Sequence, residues 1–141
     1  MIGLIIAGHG EFAKGINSVI ELVAGTQENV ATVDFLENHS TDDLKNNLKE
    51  KIEKMNTEGT LIFTDIPGGS PFKMAVELSM EHDDIEVIAG TNVPMIMEIL
   101  FDRENVDLLE LKNRAMEVGK KQIVTFEMKK KQKQQDEDDG I

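Results

Sequence analysis

Four short apolar runs, rich in β-branched residues and separated by stretches of helical periodicity, limit this chain to very few architectures. Residues 2–7, 30–35, 61–64 and 85–89 read as strands. After the first, Phe12, Ile16, Val19, Ile20 and Val23 fall on one helical face that stops at Gly25. Ser40-Thr41-Asp42-Asp43 offers N-cap chemistry for a second helix through Leu44, Leu48, Ile52 and Met55. Residues 70–80 read as a third helix, with Pro71 in the first turn, where a missing N–H costs nothing. Helices over 93–101 and 108–118 and a short strand over 122–126 complete the series. Such alternation predicts an α/β fold: an open, doubly wound, mainly parallel sheet of flavodoxin-like order 2-1-3-4, covered by helices on both faces.

With 141 residues, 40% of them hydrophobic and 30% charged, the chain suits one soluble domain with a real core. We place that domain at 1–127 and read 128–141, lysine- and glutamine-rich and then acidic, as a disordered charged tail. No apolar stretch approaches the roughly 18 residues that cross a bilayer, so no membrane insertion is expected. The opening run lacks a basic flank and is broken by Gly8-His9-Gly10, which suits a core strand and not a signal peptide. Absence of cysteine excludes disulfides and thiolate metal sites and fits a cytoplasmic location. A net charge of −12 argues against nucleic acid as a partner. An acidic chain that handles phosphate must use backbone amides and dipoles, or be served by a basic partner, and the second is the expectation here.

Chemistry gathers where two strands stop. The first run ends in Gly8-His9-Gly10 and the third in Asp65-Ile66-Pro67-Gly68-Gly69-Ser70-Pro71-Phe72. In a 2-1-3-4 sheet the strand order reverses between strands 1 and 3, and ligands of open α/β sheets sit beyond the carboxyl ends at that point. His9 and Asp65 are therefore predicted neighbours. A neutral imidazole has one N–H and one lone pair, so a nucleophilic histidine needs its tautomer fixed. A carboxylate accepting Nδ1–H leaves Nε2 bare and stabilises the cation formed on attack. Gly68, Gly69 and Ser70 precede a helix, and their amides with the Ser70 hydroxyl can cradle a dianion at its positive end. Gly8 and Gly10 are read as permitting close approach to His9. The set suits covalent capture of a phosphoryl group on histidine, and no cofactor or metal is called for.

Plainer readings exist for each residue. His39 and His82 lie among acids in loops and read as solvated side chains. Asp65 and Ser70 could each be a helix cap. The eight methionines read as core filler. Gly8-His9-Gly10-Glu11-Phe12-Ala13 also fits a dinucleotide-binding fingerprint, with Asp34 at the end of the next strand. Against that module stand the bulky His9 in the tight turn and an otherwise unexplained 65–70 block.

Three blocks, Ile6-Ala7-Gly8-His9-Gly10, Phe63-Thr64-Asp65-Ile66-Pro67-Gly68-Gly69-Ser70-Pro71-Phe72 and Gly90-Thr91-Asn92-Val93-Pro94-Met95, resemble the mannose-family enzyme IIA domain of the bacterial phosphoenolpyruvate-dependent sugar phosphotransferase system. The resemblance spans residues 1–127. It implies that His9 takes a phosphoryl group on Nε2 from the histidine-containing phosphocarrier protein and passes it to a IIB domain of a sugar permease. It implies that Asp65 orients His9 and that Ser70 sits at the phosphate. It also implies a homodimer in which the last strand crosses, antiparallel, into the partner's sheet. Lys73 departs from the asparagine common in the family, and the charged tail differs from the Ala/Pro-rich linkers of fused members, so a free-standing IIA is expected. The phosphotransfer subunit of a dihydroxyacetone kinase resembles the same family and is the alternative client.

Overall fold

The computed structural model describes residues 1–128, so the tail expected over 128–141 lies outside the described residues except for Met128. The chain runs β1(Gly3–His9), α1(Phe12–Ala24), β2(Val30–Phe35), α2(Thr41–Met55), β3(Thr60–Thr64), α3(Ser70–Glu81), β4(Ile85–Ile88), α4(Val93–Ile99) and α5(Leu108–Lys121). The strands form one sheet in the order β2-β1-β3-β4, and every pairing between them is parallel. This is the expected sheet.

Side-chain alternation along the central strands divides the core in two. Leu4 and Ile6 of β1, with Leu61 and Phe63 of β3, point toward Ile20, Ile96, Ile99 and Leu111 from α1, α4 and α5. Ile5, Ala7 and Ile62 point the other way, against Leu44 and Leu48 of α2 and Ala75 and Leu78 of α3. A strand buried on both faces runs nearly unbroken in apolar residues, as β1 does from Gly3 to Gly8 and β3 from Leu61 to Phe63 between its two threonines. No helix among the described residues is long and apolar enough to cross a membrane.

Local signals set the helix boundaries. Ser40 caps α2 in a reciprocal box: its hydroxyl accepts from Asp43 N–H at 3.0 Å, and the Asp43 carboxylate accepts from Ser40 N–H at 2.9 Å. Those bonds hold the Asp43 carboxyl below its ordinary range. Gly25 ends α1 at φ 82°, in the left-handed region that glycine alone adopts freely. Arg103, buried below α4, donates to the carbonyls of Leu100, Ile2 and Asn29, tying the loop after α4 to the base of β1. Nothing in the sequence singled it out.

The differences from expectation that bear on the site and the C-terminal segment are at the end of β1 and after α5. β1 continues through Gly8 and His9, because β2 runs beside it to Phe35 and supplies a ladder partner for each. The short strand expected over 122–126 does not form within the chain. α5 extends to Lys121, and residues 122–128 carry no regular structure. Their apolar side chains stand in solvent, Ile123 at 78%, Val124 at 80% and Phe126 at 83% exposed. A strand needs an edge to pair with, and this segment meets none among the described residues.

Candidate functional site

His9 ends β1, and Asp65 follows β3 directly. The β1–β3 register stops at Ala7 opposite Thr64, so the two residues leave the sheet side by side at its switch point. The His9 Nδ1–Asp65 Oδ2 distance is 2.9 Å, and the same oxygen accepts the His9 backbone N–H at 2.8 Å. Asp65 Oδ1 accepts from Ile66 N–H at 2.8 Å. Burial works against ionising Asp65, whose side chain is 11% exposed, but the His9 amide, the His9 ring and the Ile66 amide outweigh it. The carboxyl therefore sits below its ordinary value. Its contribution to stability is present above the unfolded-state pKa and is lost as pH falls through the lower folded value.

That ionisation decides the tautomer. A carboxylate carries no proton to donate, so Nδ1 must be the N–H partner. In the neutral ring the lone pair then belongs to Nε2. The ring is 43% exposed, open to a reactant arriving from outside the fold.

Beyond Nε2 lies the mouth of α3. A Cβ built on Gly69 would stand 2.7 Å from His9 Cε1 and 3.4 Å from Nε2, so only glycine lets this backbone lie so near the ring. Gly69 is the N-cap of α3, and Ser70 and Pro71 open the helix. The first N–H groups of a helix have no intrahelical acceptor, and with the helix dipole they favour an anion there. The Gly69 N–H itself donates to Ile66 O at 3.0 Å, so the contribution of Gly69 is its missing side chain. Gly68 turns the chain at φ 81°.

Other sequence readings shift in detail. Gly8 is required by Phe12, whose ring a Cβ would meet at 2.5 Å, and Gly10 by its φ of 57°. The close approach of Gly8 is to α1 and the constraint on Gly10 is conformational, while Gly69 is the glycine that abuts His9. His39 is not simply solvated: its Nδ1 accepts from Leu36 N–H at 3.0 Å, closing the loop after β2. His82 caps the end of α3 and is exposed. The 90–95 block braces the site, Gly90 N–H donating to Asp65 O at 2.8 Å and the Thr91 hydroxyl to Thr64 O at 2.7 Å.

The aromatic ring of Phe35 escaped the sequence reading. It lies edge-on to the imidazole, with centroids 5.9 Å apart and planes at 65°. Comparing strand ends would have found it, since the β1–β2 register sets Phe35 beside His9. A cavity of about 510 Å³ lies at the opposite, amino-terminal end of the strands, but Glu58, Asp83, Asp84, Glu104 and Asp107 line it and repel anions. Chemistry on an anionic group belongs at the His9 end.

Comparison with known proteins identifies the family. The family model described as "EIIA-man: PTS system fructose IIA component" matches residues 3–116. The mannose-specific EIIAB component of the phosphotransferase system (PTS) of Escherichia coli strain K12 is 32% identical over 130 residues, which are 91% of this chain and 40% of that protein. The chain thus spans well under half of that relative's length. The fructose-specific EIIA component of the Bacillus subtilis PTS is 28% identical over 133 residues, covering 92% of this chain and 91% of its own. In the crystal structure of the phosphotransferase system component EIIA from Streptococcus agalactiae the fold recurs with a TM-score of 0.84 and 34% identity, over 89% of this chain and 98% of that one.

Proposed function

Because this chain belongs to the EIIA-man family of PTS IIA components, we propose that it is a phosphoryl carrier working through a phosphohistidine at His9. The observation that carries the reading is the 2.9 Å Nδ1–H···Oδ2 bond at the switch point, which leaves the Nε2 lone pair beside Gly69 and the mouth of α3. Nε2 attacks the phosphorus of a donor phosphohistidine; the new N–P bond forms as the donor's N–P bond breaks, and the donor imidazole keeps the released electron pair. The phosphorylated His9 ring is cationic while Nδ1 keeps its proton, and the Asp65 carboxylate balances that charge. Gly68 and Ser70 form the phosphate cradle, through backbone N–H groups and the Ser70 hydroxyl, and Gly69 contributes to it the space its missing side chain leaves beside the ring. The donor is the histidine-containing phosphocarrier protein and the acceptor a IIB domain of a sugar permease, in the cytoplasm. A net charge of −12 favours basic faces on both partners.

The reading extends to a homodimer. The exposed apolar segment around Ile123, Val124 and Phe126 needs a strand edge, and β4 is an outer strand with one side unpaired. Two copies exchanging these segments would cover both.

Incubation with phosphoenolpyruvate and the general phosphotransferase proteins should load one phosphate per chain, discharged on adding a IIB domain. A chain that stays unphosphorylated contradicts the reading. Transfer only to a dihydroxyacetone kinase subunit would reassign the client. Gly69→Ala should keep the fold, since its φ of −73° suits alanine, but the new methyl must swing the imidazole aside. Misplacing a reacting atom by about 1 Å can cost about 10²-fold, and uptake by this variant should fall on that scale. A wild-type rate would show that closeness at Gly69 is immaterial.

A further inference from the structure

The hydrogen bond from Nδ1 fixes which nitrogen carries the proton, but a single bond leaves the ring able to tilt about it. Gly69 has no side chain to wall the ring at Cε1. With 43% of the side chain exposed, solvent offers no wall either. The aromatic neighbour of the ring is Phe35, edge-on at 5.9 Å and 65°. Its backbone is held at the same place from both directions. The β1–β2 register pairs Phe35 with His9, and Phe35 O accepts the Gly10 N–H at 2.8 Å, so the chain on either side of His9 is fastened to the strand end that carries the ring. The side chain is half-buried against the α2–α3 core, which limits its own rotation.

From this we infer that Phe35 is a positioning residue: its ring fixes the tilt of the His9 imidazole and so aims Nε2 at the mouth of α3. The inference rests on the phosphocarrier reading for its kinetic consequence but not for its structural one. Asp65 selects the tautomer, Gly69 makes room, and Phe35 selects the orientation. An edge-on aromatic pair shifts a conformational equilibrium by about 2- to 10-fold beyond what its buried area supplies. Replacing the ring by an aliphatic chain of similar bulk should therefore lower the population of the aimed rotamer, and the rate of phosphoryl uptake, by about that factor. The effect falls on the transfer step and not on donor docking, so the maximal rate drops while the half-saturating donor concentration stays put.

The test compares Phe35→Leu, Phe35→Met and Phe35→Tyr in the full chain, with thermal unfolding as the check on folding. His9 ring proton and carbon shifts and side-chain couplings report orientation without any transfer. The inference expects averaged couplings and loss of the aromatic ring-current shift in the leucine and methionine variants, a matching 2- to 10-fold fall in maximal uptake, and recovery of both in the tyrosine variant. Unaltered couplings with an unaltered rate in the leucine or methionine variant would overturn it. So would a tyrosine variant as slow and as averaged as the leucine one. Averaged couplings in a chain whose wild type takes no phosphate would uphold the positioning role and sink the carrier reading instead.

Discussion

Asp65→Asn is expected to slow phosphoryl uptake by about 10²–10⁴-fold while leaving the fold in place. The carboxylate receives three N–H groups, from His9 N and Nδ1 on Oδ2 and from Ile66 N on Oδ1. An amide has one oxygen to offer. With its NH2 toward His9, the backbone N–H meets another donor, and the ring must turn Nδ1 into an acceptor. Nε2 then holds the proton and has no lone pair for attack. With its oxygen toward His9, the tautomer survives, Ile66 N–H loses its acceptor, and the imidazolium created by transfer faces a neutral group. Either arrangement disables one of the two jobs the carboxylate performs. Loss of one hydrogen bond to a charged group should cost about 1–3 kcal/mol of stability, well short of unfolding a domain. Uptake rates with unfolding curves check both halves. A variant that transfers at the wild-type rate would make Asp65 a structural residue only.

His9→Ala should take up no phosphate at all. No other imidazole stands at the switch point: His39 spends its Nδ1 on Leu36 N–H, and His82 lies at the far end of α3. The substitution is structurally mild, because the His9 backbone N–H still meets Asp65 Oδ2 and alanine fits the strand end. The imidazole is also the most exposed part of the pair, so little packing goes with it. Loss of labelling in a chain that still unfolds cooperatively, with a modest fall in midpoint from the lost Nδ1–H bond, is the expected outcome. Phosphate that persists on the alanine variant would place the acceptor elsewhere.

Sheet order, strand positions and the His9–Asp65 pairing were legible because they follow from period and topology. Apolar runs without alternation mark strands buried on two faces, and a 2-1-3-4 order dictates which two loops meet. The parts that escaped depend on distances that sequence patterns do not encode. Phe35 reads as one more apolar residue at a strand end until the register sets it against His9. Gly69 reads as an amide donor until the helix mouth is seen to approach Cε1 and to spend that N–H on Ile66. Arg103 carries no motif and acts only through carbonyls brought together by the fold. The 122–126 segment forms no strand within its own chain for a different reason: β propensity describes a segment, while a strand is a property of a pair.

All of the chemistry depends on which imidazole nitrogen is free. Nitrogen-15 NMR of the chain, uniformly labelled and phosphorylated by phosphoenolpyruvate through the general phosphotransferase proteins, reads that directly. The account predicts a phosphoryl group on Nε2 of His9, with Nδ1 still protonated and coupled to the Asp65 carboxylate. Phosphate on Nδ1 of His9, or on any other side chain, would contradict it.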